Sequence, residues 1–461
     1  MKTIFFTFSL LFCFLGASAQ DAMTLEDAVK FALQNSTSIK NAQINIADAN
    51  QQIKENKASG LPQAKAEVSL QHFLLTPKTI LPDFISPAVF GILSGFGVKD
   101  RNGNPIAAPT GEPSTQAVTF VQSNNFSGSV SVSQLLYSGS YNVALDASRS
   151  YRDLVNKQLA SKQAEVKNAV TEAYLPTLIL TESTNNLDKN IKNLEKLFKD
   201  VTEIKKAGFS EQLDVDRIEL SLANLRTERE NLTRQKELVV NVLKFTINYP
   251  LEKSLEVKDN INSLLQNASE EEMAGAINYS NRAEYVTAQA GLKMNDLAVQ
   301  LNKTSNLPTV AAFGSYQYTV TGNNSNIFKN PAHFPTGLVG LTGSISLWDS
   351  GKRSAQVQRA MLARDLTQNQ IGDLERAISL QVTAARLAYR NAANRVESQK
   401  KNLALAEKIY NTTKIKYKEG LGSSLEITSA ETSLYQAQQN VLQAQYDTLV
   451  AKMSLNKALG K

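Results

Sequence analysis

Residues 420–461 read GLGSSLEITSAETSLYQAQQNVLQAQYDTLVAKMSLNKALGK. After the glycine, apolar and small residues recur in alternating steps of three and four, the pattern of a helix that supercoils against a partner helix. Small residues alternate with large ones, and we expect Ala437, Ala444 and Ala451 to be small because the partner lies close. The complete helix seam comprises Ile427, Ala430, Leu434, Ala437, Val441, Ala444, Thr448, Ala451, Leu455 and Ala458.

The sequence repeats itself once. A shift of 212 positions aligns the residues after Gly208 with those after Gly420, and a shift of 246 aligns Gly60-Leu61-Pro62 with Asn306-Leu307-Pro308. Each half then predicts the same order: helix, helix, strand, loop, strand, very long helix, turn and long helix. A period this large indicates a duplication and not a solenoid.

The first residues have the pattern of an export signal. Lys2 is followed by an apolar run over 4–15 and by small residues at 17–19, which predicts cleavage after Ala19. Cys13, the single cysteine, falls within this segment, so we expect no disulfide in the mature chain. The predicted divisions are a signal peptide at 1–19, a first structural repeat at 20–247, a connecting equatorial segment at 248–268 and a second structural repeat at 269–461.

Long helices carry most of the chain. A continuous helix over 140–206 would rise about 100 Å at roughly 1.5 Å per residue. Pro176 should kink this helix without ending it. Seams like that of residues 427–458 recur upstream in both halves, which predicts two long helical hairpins.

Four segments alternate between apolar and polar residues. They lie near 64–76, 126–137, 309–320 and 339–348, and segments of about ten residues with this pattern are typical of transmembrane β-barrels. Four strands cannot close a barrel, so two copies with eight strands or three copies with twelve must share one. Tyr137 and Trp348 end the second and fourth strands, where an interfacial aromatic belt would lie.

The loop over 76–122 is long and holds six of the twelve prolines. Long loops of such barrels are extracellular, and we expect the same here. Its apolar part, 83–97, could fold over the barrel mouth or touch neighbouring molecules, or the loop could be ordered without a function.

This arrangement resembles the outer membrane efflux protein family, the TolC family. The resemblance covers residue 20 to the C-terminus, and its best markers are the turns Gly-x-x-x-x-Leu-[Asp/Glu] at Gly208 and Gly420 and the strand-to-helix junction at 347–351. It implies an α+β membrane protein with a long α-helical coiled-coil barrel and a transmembrane β-barrel shared by a homotrimer. It also implies a passive export duct in the outer membrane of a Gram-negative bacterium, extending into the periplasm. Its partners would be outer-membrane lipid, a periplasmic adaptor (membrane fusion protein) and an inner-membrane RND or ABC pump, as in tripartite efflux or type I secretion.

The resemblance also suggests functional residues at the tip of the helices. Glu426 matches the first acidic residue of the family's pore constriction, whereas the second position is Ser429. Tyr417 and Asp214 match a Tyr and an Asp that close the tip, and the Arg of that latch is replaced by Gly422. The predicted constriction is Glu426 and Asp214, and the predicted latch and turns are Tyr417, Gly208 and Gly420.

Other classes of protein fit less well. The sequence contains no phosphate-binding glycine loop, no Gly-x-Ser-x-Gly and no His-Glu-x-x-His, so we expect no enzyme, no cofactor and no metal. The formal charge of +6 is spread along the chain, which does not favour nucleic acid. An oligomeric coiled-coil periplasmic adaptor or a surface structural protein is the alternative, and the alternating strands and the duplication argue against it.

Overall fold

The computed structural model describes residues 21–107, 115–265, 269–323 and 332–461. The predicted signal peptide lies outside the described residues, as does the part of the long loop at 108–114. The helices are α1 (Leu25–Asn35), α2 (Thr37–Ala58), α3 (Ile85–Gly95), α4 (Tyr141–Lys206), α5 (Gln212–Ile247), α6 (Ile261–Leu264), α7 (Glu270–Ala274), α8 (Ala283–Thr304), α9 (Lys352–Lys418) and α10 (Ser424–Leu459). The strands are β1 (Asp21–Met23), β2 (Gln63–His72), β3 (Thr79–Pro82), β4 (Thr115–Val118), β5 (Asn124–Ser138), β6 (Leu255–Val257), β7 (Thr309–Gly322) and β8 (Ala332–Ser344).

The two halves share the order of elements expected from the sequence. Helices α2 and α8 lie 246 positions apart at both ends, and α5 and α10 lie 212 positions apart at both ends. Helix α4 continues through Pro176 as one 66-residue helix. None of the described helices is long and apolar enough to cross a membrane.

The chain forms two compact units, and each draws on both halves of the sequence. The helical unit comprises the described residues of Met1–Gln52, Ala147–Val299 and Val357–Lys461. The sheet unit comprises those of Ile53–Asp146 and Gln300–Gln356. The predicted repeat boundaries therefore describe a duplication of sequence and do not delimit the compact units.

The helical unit is held together by the faces predicted from the heptads. All ten seam positions of α10 are buried. One apolar cluster joins α4, α5, α9 and α10 near the turns that connect them in pairs, and includes Leu194, Ile218, Tyr410 and Ile427. Further along the helices, α1 packs on α4 and α5 around Tyr174, while the segment 273–285 packs on α9 and α10 around Leu455.

The sheet unit is built on four antiparallel strands in the order β2-β5-β7-β8, with β2 and β8 at the two edges. The register places most of the predicted apolar residues of the four strands on one face. One row of this face is Ala64, Val132, Gly314 and Val339, and the next is Ala66, Val130, Tyr316 and Gly337. The row between them on the opposite face is Lys65, Ser131, Ser315 and Leu338.

The fourth strand begins and ends earlier in the chain than the sequence predicted, at 332–344 instead of 339–348. Strand β8 ends at Ser344, so Ile345, Leu347 and Trp348 lie beyond it. The physical reason is the start of α9. Asp349 accepts hydrogen bonds from the backbone N–H groups of Gly351 (3.2 Å) and Arg353 (3.2 Å), and this cap requires a turn where the alternation suggested more strand.

The long loop has local structure that the sequence did not predict. Strands β3 and β4 pair as an antiparallel ladder within it. Helix α3 lies between them in the chain and buries none of its residues, although it is strongly apolar.

Candidate functional site: the hairpin tips

The candidate site lies where α4 turns into α5 and α9 turns into α10, and we call these segments, 207–211 and 419–423, the first and second tip turns. Both turns have the same backbone. Gly208 has a φ of 86° and Gly420 a φ of 73°, the left-handed conformation that favours glycine after a helix. The next N–H reaches back in each case, from Phe209 to the carbonyl of Ile204 (3.1 Å) and from Leu421 to that of Lys416 (2.9 Å).

Asp214 lies in the first turn of α5 and is tied into place by hydrogen bonds. Its Oδ2 accepts from the Ser210 hydroxyl at 2.9 Å and from the backbone N–H of Glu211 at 3.4 Å, completing a capping box. Its Oδ1 accepts from the hydroxyl of Ser424, on α10. These bonds, that of Ser424 first, hold the pKa of Asp214 below its ordinary value.

Ser424 joins the two hairpins, and sequence reasoning missed it. Its side chain is 1% exposed, and its hydroxyl accepts a hydrogen bond from Nη1 of Arg217 at 3.1 Å while donating to Asp214. Arg217 was missed as well. Its position three residues after Asp214, on the same face of α5, is the signal that could have identified it.

Tyr417 lies in the last turn of α9 and is 9% exposed. Burial raises the pKa of its phenol and the nearby charge of Asp214 adds to this, while a hydrogen bond with Ser210 opposes it. Ser210 therefore connects Tyr417 with Asp214.

Glu426 lies in the first turn of α10, at the position equivalent to Asp214. Its backbone N–H donates to the Ser423 hydroxyl at 3.3 Å, but its side chain is exposed. Within the described chain its carboxylate has neither an ion pair nor a hydrogen bond. A Cβ built at Gly422 would lie 3.3 Å from the backbone nitrogen of Tyr417 and 3.4 Å from Oε2 of Glu426.

Two further sets of residues are the alanines of the helix seam and the two histidines of the chain. Ala437, Ala444 and Ala451 are all buried, and Ala444 is 1% exposed. His72 and His333 lie on the sheet and contact Asn124 and Tyr318. Among the described residues, no group of three or more His, Cys, Asp and Glu side chains could hold a metal ion.

Comparison with known proteins identifies a family for the second half of the chain. Residues 279–461 match the model of the family described as outer membrane efflux protein. Among curated proteins, none matches the sequence significantly.

The fold of nearly the whole chain resembles solved structures of membrane proteins, among them an outer membrane protein and an outer membrane channel. CusC has a TM-score of 0.69 at 15% identity, over 95% of this chain and 92% of CusC. VceC from Vibrio cholerae has a TM-score of 0.67 at 14% identity, over 95% of this chain and 96% of VceC. The open state of MtrE from Neisseria gonorrhoeae has a TM-score of 0.68 at 15% identity, over 95% and 88%. At these identities the likeness establishes the fold alone.

Proposed function

We propose that this chain, whose residues 279–461 match the model of the outer membrane efflux protein family, is a passive export duct of the outer membrane that extends into the periplasm. The observation that carries this is the sheet unit. Its four strands present one continuous apolar face on which Val68, Val130 and Val339 are exposed, as a surface in contact with lipid requires.

Three copies of the chain share one barrel in this proposal. Strands β2 and β8 leave two unpaired edges, and hydrocarbon does not tolerate unpaired backbone groups. Exposed leucines spaced by multiples of seven also follow the long helices, at Leu213 and Leu220 of α5 and at Leu366, Leu380 and Leu387 of α9. Such stripes fit helix packing between copies.

The tips are the part we assign to the periplasmic partners, an adaptor and, through it, an RND or ABC pump. Both tip turns expose an apolar residue directly after the glycine, Phe209 in the first and Leu421 in the second. Leu213 and Leu425 extend these patches into the following helices. An apolar pair at each tip fits a helical partner that meets the channel end to end.

The tips also narrow the duct in this proposal. Three copies around one axis would bring three Glu426 carboxylates together, and weak screening in a narrow pore makes such a ring attract cations. Asp214 and Tyr417 act as the latch, with Ser424 and Arg217 as further members. The duct itself carries no catalytic step, and exported molecules are selected by the pump.

Two measurements on the full chain test the proposal. Mass measurement in detergent should give three chains, and a folded monomer or dimer would contradict the shared barrel. Single cysteines introduced with Cys13 replaced by Ser test the membrane face. Val339→Cys should react only with a lipid-soluble maleimide, whereas its control Gln317→Cys, on the polar face, should react with an impermeant one. Equal reaction of both with the impermeant reagent would remove the lipid contact.

A further inference from the structure

One carboxylic acid is buried on α10 among residues of the apolar cluster near the tips. Glu431 is on α10 between the buried residues Ala430 and Leu434, and it is 8% exposed. Tyr410 of α9, whose pKa the charge of Glu431 raises, is 5% exposed and belongs to the cluster. The first half of the chain lacks this arrangement. The residue equivalent to Glu431 is Glu219, which is exposed, and the residue equivalent to Tyr410 is Phe198, which is partly buried.

Two buried polar atoms lack a partner in the described chain. Oε2 of Glu431 and the hydroxyl of Tyr410 are buried, and neither has a hydrogen bond within the described chain. An ionised carboxylate in such a place is costly because no donor replaces the water that it loses. The neutral acid is less costly, so the packed cluster favours the protonated form.

The charges around Glu431 are few. The ammonium group of Lys414, on α9, lies 5.5 Å from the centre of the Tyr410 ring. Its positive charge lowers the pKa of the Glu431 carboxyl. Helices α4 and α5 contribute apolar residues to the cluster. Of their charged residues, Asp200 is paired with Lys418 at 3.2 Å, and Glu228 raises the pKa of Tyr435, which packs against the cluster. In the described chain, neither of these acts on Glu431.

Burial raises the pKa of Glu431 to about 7, and Lys414 opposes the rise without cancelling it. Burial also raises the pKa of Tyr410 to about 12, with the charge of Glu431 adding to the rise. Tyr410 thus stays neutral near pH 7 while Glu431 changes its charge there.

We propose that Glu431 is a proton-binding site that controls how tightly α10 packs on α9 near the tips. With a proton bound, the four helices pack as observed. Once the proton leaves, the carboxylate gains free energy by reaching water, and the pair of helices opens around it. The contribution to packing is complete below the ordinary pKa of 4.5 and is lost as the pH rises through about 7.

This switch is a property of the helices and is measurable without any transport. Any effect on conductance would rest on the proposed duct, whereas hydrogen exchange would still report the switch if the duct were wrong. For a carboxyl that titrates at about 7 when packed and 4.5 when open, packing weakens on the order of tenfold between pH 6 and pH 8.

Hydrogen exchange of the full chain in detergent, corrected for the intrinsic pH dependence, tests the proposal. Protection of residues 404–417 and 424–438 should fall about tenfold from pH 6 to pH 8. Glu431→Gln, a neutral side chain of the same shape, should abolish this fall, and the control Glu219→Gln should keep it. A wild-type chain with constant protection, or an unchanged fall in Glu431→Gln, would overturn the proposal.

A second variant serves if Glu431→Gln does not fold. Lys414→Met removes the cation that lowers the pKa of the Glu431 carboxyl. The fall in protection should therefore have its midpoint at a higher pH in this variant than in the wild type. A midpoint that stays in place or moves to lower pH would show that another group titrates.

Discussion

The two tip turns have the same backbone and different side-chain contacts. In the first, Asp214 is held by Ser210, by its own capping box and by Ser424 of the other hairpin. In the second, the equivalent Glu426 is exposed and has no such bond within the described chain. The two halves therefore share the geometry of the turn but differ in their acidic residues. Asp214 is held by hydrogen bonds, whereas the Glu426 carboxylate makes none within the described chain.

The helices that follow the turns differ in the same way. Helix α5 has Leu225, Leu232 and Val239 where α10 has the seam alanines Ala437, Ala444 and Ala451. Large side chains fill their own space, whereas alanines leave space that another helix must occupy closely. The second hairpin thus depends more on close backbone packing than the first.

Ala444→Leu should have the largest effect. The side chain is 1% exposed, so the added carbons have to displace packed neighbours, at about 1–3 kcal/mol per chain. We expect a lower unfolding temperature of the assembled protein in detergent. The control Gln443→Leu changes an exposed neighbour on the same helix. An unchanged unfolding temperature for Ala444→Leu would show that the seam has room at this position.

Asp214→Ala should have the next largest effect. It removes the bonds from Ser210 and Ser424, each contributing about 1 kcal/mol, and leaves the buried Ser424 hydroxyl without its acceptor. Hydrogen exchange at both tip turns should increase. Its matched control is Glu426→Ala, which removes the equivalent carboxylate and should leave exchange at the first turn unchanged. Equal effects of the two variants would contradict the difference between the turns.

The same bonds give Asp214 a pH dependence opposite in sign to that of Glu431. Because its pKa is lowered in the folded chain, its contribution is complete above the ordinary value of 3.8 and is lost as the pH falls below it. Protection from exchange at the first tip turn of the Glu431→Gln variant, corrected for the intrinsic pH dependence, should therefore be constant from pH 5 to pH 8 and should fall only in stronger acid.

The sequence predicted the elements because local patterns determine them. Heptads placed the seam of α10 correctly, and strict alternation placed the apolar face of the sheet. It could not predict contacts between residues far apart in the chain, such as Ser424 with Arg217, since the spacing on α5 relates Arg217 to Asp214 and not to a residue of α10. It also missed the burial of Glu431, because the equivalent Glu219 is exposed and the heptad pattern leaves position 431 outside the seam. The alternating pattern continues to Trp348, but the strand ends at Ser344 because the cap at Asp349 requires a turn before α9.

Glu426→Gln is expected to change ion selectivity without changing stability. The carboxylate is free, so its removal breaks no bond in the described chain, but a ring of three would lose its charge. In planar bilayers, the preference for cations at neutral pH should decrease. The control is Glu397→Gln, which removes an exposed charge from a different helix, α9. Unaltered selectivity in Glu426→Gln would place this residue outside the pore.

Tyr417→Phe should have the smallest effect. It tests whether the Tyr417 hydroxyl helps to hold the tips of the two hairpins together. The variant keeps the buried ring and removes only the hydroxyl, which hydrogen bonds with Ser210 and through it supports Asp214. Asp214 retains Ser424, and Arg217 still donates to that serine, so the contact between the hairpins weakens without being lost. We expect a modest rise in single-channel conductance, smaller than that of Asp214→Ala. Tyr435→Phe, in the same apolar cluster, is the control, and equal conductance of the two variants and the wild type would exclude Tyr417 from the latch.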